Sequence, residues 1–189
     1  MYKRQGINDT VFVWVEPRAR VTAIPASDTV CNGDTLNITL SSPTRPTLPV
    51  RLRYAVTAPS DVDVIPSSGD NLIDGAVLNN AIINYSDSAK LVQFIVTPYV
   101  LNDQGDEKCT GNSKIFQIYV EPTVTIAATD DTICNGETTD IPVTSSNTTT
   151  SGIRYTWTVT DNPNVTGESD SAPPGQVIGT AIEQTLTNT

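Results

Sequence analysis

The chain repeats itself, and this constrains its architecture more than any other feature of its 189 residues. Asp28-Thr29-Val30-Cys31-Asn32-Gly33-Asp34-Thr35 returns 103 residues later as Asp131-Thr132-Ile133-Cys134-Asn135-Gly136-Glu137-Thr138. Arg53-Tyr54-Ala55-Val56-Thr57 returns as Arg154-Tyr155-Thr156-Trp157-Thr158, with a two-residue slip that a shortened loop accounts for. The stretch from Gly6 to Val15-Glu16-Pro17 is echoed from Gly111 to Val120-Glu121-Pro122. Matched order with a loop-sized slip is the mark of serial copies of one folding unit.

These echoes divide the chain into three parts: the tail of one unit, with its last strand (1–17), a complete unit (18–122), and the front of a second, truncated unit (123–189). Residues 1–5 match nothing in the repeat and read as a scar of joining. The last part has no counterparts of Ser86 through Pro122, so open strand edges are expected there.

Within 18–122, short β-branched or aromatic runs recur between Gly, Pro, Asn, Asp and Ser. They predict strands over Val21–Ile24, Leu36–Leu40, Leu52–Thr57, Ala81–Tyr85, Leu91–Thr97 and Ile115–Val120. The last has apolar residues on both faces, which predicts burial on much of both sides or a central place in a sheet. Asn32-Gly33, Asp74-Gly75 and Asn135-Gly136 mark turns. No segment keeps a helical apolar period for three turns, so the class is all-β, and about 105 residues with roughly seven strands has the size of an immunoglobulin-like sandwich.

The chain has no histidine. That removes Ser-His-Asp and Cys-His nucleophile pairs and any His-containing metal site. A net charge of −10 opposes nucleic-acid binding, which needs clustered Lys and Arg. No apolar stretch is long enough to span a bilayer. Paired carboxylates for glycoside hydrolysis are not identifiable, because Glu16 and Glu121 both sit in the repeated Val-Glu-Pro linker, and no Gly-x-Ser-x-Gly elbow occurs. The expectation is a protein that is not an enzyme.

Three cysteines remain. Cys31 and Cys109 fall in one unit, whereas the partner of Cys134 would fall beyond Thr189. The expectation is therefore a Cys31–Cys109 disulfide, with Cys134 unpaired by truncation. Closing so long a loop would stabilise by roughly 4 kcal/mol in the chain-entropy picture, and such bridges persist in oxidising compartments. Buried reduced thiols are the alternative. The Cys-x-Gly spacing and the lack of histidine speak against metal.

In their order and spacing, several segments resemble the PKD-like, immunoglobulin-type repeats of large surface and secreted proteins of type IX secreting, often gliding, bacteria. They are Thr132-Ile133-Cys134-Asn135-Gly136, Tyr155-Thr156-Trp157-Thr158-Val159, Leu186-Thr187-Asn188-Thr189, Phe94-Ile95-Val96-Thr97-Pro98, Cys109-Thr110-Gly111 and Val120-Glu121-Pro122. The resemblance implies tandem β-sandwich domains, one complete and one truncated, in an extracellular, adhesin-like or gliding-associated protein with no catalytic residues to carry over. It also implies O-glycosylation at Asp-Ser/Thr-apolar tripeptides, here at Thr10, Thr29, Thr35, Ser88, Thr132 and Ser171. Two departures are plain: Val56 stands where the later unit has Trp157, and neither unit has the compact Trp-Asp-Phe-Gly sequence of ordinary PKD domains.

Each remaining candidate site has a structural counter-reading. In Asn102-Asp103-Gln104-Gly105-Asp106-Glu107, the carboxylates of Asp103, Asp106 and Glu107 are candidate calcium ligands, against a solvated loop. Asp61, Asp63 and Asp74 read as turn residues. Trp14, Tyr54, Tyr119, Tyr155 and Trp157 lie in predicted strands, which favours packing over sugar stacking, while Tyr2, Tyr85 and Tyr99 are less constrained. Arg53 and Arg154 suit an ion pair or a cation–π contact. The reading is a non-catalytic spacer or stalk in a cell-surface protein, whose partners are neighbouring repeats and an unspecified glycan or protein. A calcium- or carbohydrate-binding module is the alternative.

Overall fold

The computed structural model describes residues 9–189. The expected scar at 1–5 and Tyr2 lie outside the described residues. Those described contain no helix, and none long and apolar enough to cross a membrane.

The upstream region holds β1 (Thr22–Ile24), β2 (Ser27–Val30), β3 (Ile38–Ser41), β4 (Val50–Thr57), β5 (Val62–Ile65), β6 (Ser68–Leu72), β7 (Val77–Leu78), β8 (Ala81–Asn84), β9 (Lys90–Leu101), β10 (Glu107–Thr110) and β11 (Lys114–Val120). One layer is the sheet β1-β3-β7 with the nearby pair β5-β8, and the other is β2-β11-β9-β4-β6 with β10 on β9. All pairs are antiparallel except β2 with β11, where Ser27 through Val30 run parallel to Gln117 through Val120.

Alternation along the strands aims every second side chain between the layers. Leu52 and Tyr54 of β4, Val92, Phe94 and Val96 of β9, and Phe116, Ile118 and Val120 of β11 meet Ile38 and Leu40 of β3 and Ile82 of β8 in one core. Tyr54 tilts against Phe94 with ring centroids 5.9 Å apart. Its hydroxyl accepts a 3.0 Å hydrogen bond from the buried Asn80 side chain, satisfying a polar group that burial would otherwise penalise.

All six expected strands are present, and β11 is central, between β2 and β9. It is not buried on both faces, since Ile115 and Tyr119 face solvent. Unexpected from sequence were β2, β5, β6, β7 and β10.

The downstream region holds β12 (Ala127–Ala128), β13 (Ile141–Thr144), β14 (Arg154–Tyr155), β15 (Val165–Thr166), β16 (Gln176–Val177), β17 (Ala181–Ile182) and β18 (Thr187–Asn188). They form β12-β13-β17 and the pairs β14-β16 and β15-β18. Its buried apolar residues are Val143, Ile153 and Tyr155.

The expected Cys31–Cys109 bridge is corrected by register. Cys31 follows Val30, which lies level with Val120 and Lys90, whereas Cys109 lies level with Val100. At roughly 3.3 Å per residue, the run from Lys90 to Val100 puts about 30 Å between the two thiols, against the ~7 Å between Cα atoms that a disulfide allows. They lie at opposite poles of the sandwich. All three cysteines are free thiols, Cys31 and Cys134 exposed and Cys109 half-buried.

Candidate functional site

The most developed polar site is the junction around Val120-Glu121-Pro122. The Glu121 amide donates to the Val30 carbonyl at 2.9 Å, which fixes the exit from β11. Its carboxylate then accepts from the Thr150 amide at 3.0 Å and from the Thr150 hydroxyl. Glu16 holds Thr47 in the same way, through the amide at 2.9 Å and through the hydroxyl. The linker glutamate therefore reaches forward into the region that follows it and grips a threonine there.

Around this clamp the two regions share a backbone ladder. The Ala89 amide donates to the Thr148 carbonyl and the Thr148 amide to the Asp87 carbonyl, each at 2.8 Å, giving a parallel bridge between Ser88 and Thr148. From the upstream side, Asn32 donates through Nδ2 to the Thr123 hydroxyl and to the Asn84 carbonyl, both at 2.8 Å. Asn84 is buried and spends its amide on the carbonyls of Ser88 at 2.8 Å and Val120 at 3.1 Å. Buried polar groups satisfied this fully specify one arrangement.

The sequence echoes have structural causes. Gly33 and Gly136 share φ of +83°, a conformation that disfavours a Cβ, and donate to the carbonyls of Ile82 and Leu186. Asn32 and Asn135 each accept at 2.7 Å from a downstream asparagine amide, Asn84 and Asn188. Ser42 and Ser145 donate to the carbonyls of Arg20 and Thr125 at 2.8 and 2.7 Å.

A second polar cluster lines a shallow depression on the outer face of the large sheet. Arg53 pairs with Glu107 at 2.6 Å and lies over the Tyr99 ring, 5.1 Å from its centroid. The Tyr99 hydroxyl donates to Asp70 at 2.8 Å. The hydrogen bond with Glu107 raises the Arg53 pKa, and that with Arg53 lowers the Glu107 pKa, with help from Thr110. Asp70 is lowered by the Asn71 amide and then by Tyr99, while burial first, then Asp70, raises Tyr99. Tyr99 is thus buried and committed, not loosely placed as its sequence position suggested.

The other candidates are scattered. Asn102 folds its acidic loop by accepting from the amides of Gln104 and Asp106, and Glu107 is spent on Arg53, so Asp103, Asp106 and Glu107 do not converge. Among the described residues no three acidic, cysteine or histidine groups gather as a metal site. Arg154 donates to the Gly175 carbonyl at 3.1 Å and among the described residues has neither ion pair nor ring. Tyr54 and Tyr155 are core residues, Tyr119 is partly exposed, Trp157 bonds the Ser169 carbonyl outside any strand, and Trp14 is exposed and in no strand. Asp61 pairs with Lys90 at 2.8 Å and Tyr85 donates to Asp63 at 3.0 Å. Of the six tripeptide hydroxyls, Ser171 is half-buried and bonded to the Trp157 backbone, and the others are exposed. Sequence reasoning placed Glu16 and Glu121 as structural but missed Thr47 and Thr150, which stand 103 residues apart and were visible in the repeat.

The fold defines an all-β sandwich of immunoglobulin type, with a glutamate-clamped linker as its most elaborate contact. Within it, residues 131–189 match the family model of the PKD-like domain, so the likeness to PKD-like domains read from the sequence holds there. No curated protein matches the chain. Among solved structures it is similar to native alpha-2-macroglobulin of E. coli, at 21% identity and TM-score 0.34, over 66% of this chain and 8% of that one. The trypsin-activated form gives 18% and 0.33, over 66% and 9%. A chaperone–tip adhesin complex of CFA/I fimbriae gives 12% and 0.39, over 90% and 85%. The chain thus spans under a tenth of either alpha-2-macroglobulin chain.

Proposed function

We propose that the chain is a non-catalytic structural stretch of an extracellular, adhesin-like cell-surface protein, in which serial sandwich units act as a spacer or stalk. In this reading 18–122 is one unit, 123–189 repeats the front of the next, and the residues up to Pro17 carry the last strand of the one before. The observation that supports it most is the recurrence of the linker clamp, Glu16 on Thr47 and Glu121 on Thr150. A clamp repeated at each linker removes the hinge that a short connection would otherwise leave, and resistance to bending is what a spacer needs. Its partners are the neighbouring units, with a surface glycan or protein held elsewhere, and neither nucleic acid nor membrane insertion. The test is small-angle scattering of the chain and of Glu121→Ala. The reading expects a single extended shape that broadens in the variant, and identical, freely jointed profiles for both would overturn it. Melting in calcium and in EGTA separates the calcium-binding alternative, because an ion bound to the folded state raises Tm by several degrees and a spacer leaves it unchanged.

A further inference from the structure

The register that forbids a bridge within one sandwich sends each thiol toward a neighbouring one. Cys31 sits at the lower pole, between Val30, whose carbonyl takes the Glu121 amide, and Asn32, whose side chain reaches Thr123. It therefore flanks the linker from above. Cys109 sits at the upper pole of the same sandwich, on β10. There Asn112 accepts from Arg18 at 3.1 Å and donates its amide to the Ala19 carbonyl at 3.3 Å. In addition, a Cβ built on Gly111 would meet the Ala19 carbonyl oxygen at 2.2 Å, so this kink is packed directly on the chain entering the unit.

By the repeat, Arg18 and Thr123 are the same position of successive linkers. The linker residue that Asn32 touches from one side is thus the one that the β10–β11 kink touches from the other. We propose that Cys31 forms a disulfide across the junction, with the cysteine that stands at the Cys109 position of the unit that follows. Cys109 and Cys134 are the corresponding halves of the junctions before and after. The inference rests on the tandem reading above.

The bond forms by thiol–disulfide exchange with a disulfide oxidant such as oxidised glutathione. One cysteine thiolate attacks the oxidant and expels a first thiol, and the second cysteine thiolate then displaces the other half from the mixed disulfide. Two cysteines lose two electrons and two protons, and the oxidant leaves as two thiols.

The experiment begins with the chain itself, equilibrated with oxidised and reduced glutathione, alkylated without reduction and peptide-mapped. All three thiols are expected to be modified, and a Cys31–Cys109 peptide would overturn the proposal. The chain is then extended after Thr189 by a second copy of residues 86–122, which completes the downstream unit with a fourth cysteine. The expected result is a single bridge from Cys31 to the added cysteine, with Cys109 and Cys134 alkylated. In that extended chain Cys31→Ser frees the added cysteine, whereas Cys134→Ser leaves the bridge intact. A bridge from Cys134 to the added cysteine, or four free thiols, would overturn the proposal. Scattering on the same samples judges the spacer reading separately: an extended, unhinged shape with four free thiols leaves that reading standing and removes only the bridge.

Discussion

The upstream and downstream regions begin alike and end differently. Each opens with a strand bonded to the strand after a Cys-Asn-Gly turn, each turn glycine has φ of +83°, and each holds a buried tyrosine, Tyr54 or Tyr155. Only the upstream region has β9 and β11, which together supply six of its buried core side chains. There β4 runs eight residues along β9; downstream its counterpart β14 has two residues and pairs only with β16. A β-branched run becomes a long strand when a neighbour supplies its ladder. The segment Val11–Val15 makes the same point: its alternate residues repeat Phe116, Ile118 and Val120, yet Val13 is 80% exposed while Ile118 is 0%.

The largest effect should come from the core that only one region has. Phe94→Ala should cost about 3–5 kcal/mol of upstream stability by urea denaturation and leave the amide shifts of 131–189 unchanged except around Thr148 and Thr150, which bond to the upstream region. Loss of both regions together would break the comparison. Next, Gly111→Ala forces a methyl group against the Ala19 carbonyl and should cost roughly 1–3 kcal/mol. Gly33→Ala, at positive φ but with open space around it, should cost about 1–2 kcal/mol from backbone strain alone. Melting of Gly111→Ala equal to that of wild type would contradict the packing at the kink, and the same result for Gly33→Ala would contradict the strain at its positive φ.

The smallest effect is electrostatic. The pKa values of Glu107 and Asp70 are lowered in the folded state, so the stability they add is full above their unfolded values near 4 and is lost as pH falls through the lower folded ones. For Tyr99, raised in the folded state, the sign reverses: its contribution is full below about pH 10 and is lost above it. An exposed pair of the Arg53–Glu107 kind is worth at most about 1 kcal/mol. Glu107→Gln should therefore flatten the acid limb of a Tm-against-pH curve only slightly, and an unchanged neutral plateau with an unchanged acid limb would remove the pair from the account.

Much of this was legible in the residues. The repeat, the all-β class and the six strands with strong β-branched or aromatic bias follow from periodicity and turn residues. Of the missed strands, β5 carried that signal in Val62-Asp63-Val64-Ile65, whereas β2 and β6 lacked it. Ser27-Asp28-Thr29-Val30 and Ser68-Gly69-Asp70-Asn71-Leu72 are mostly polar edge strands, whose pairing is decided by β11 and β4 rather than by their own composition. The error over Cys31 and Cys109 has the same origin: a repeat shows which residues share a unit, but only the parallel pairing of β2 with β11 shows that they lie at opposite poles. The junction was half legible, as the glutamate without its threonine.

Residual dipolar couplings from amides of 18–122 and of 123–189 test most directly whether the linker is a fixed joint. The clamp and ladder predict that one alignment tensor fits both regions, and that Glu121→Ala separates them. Two tensors of clearly different magnitude in the unaltered chain would contradict the account.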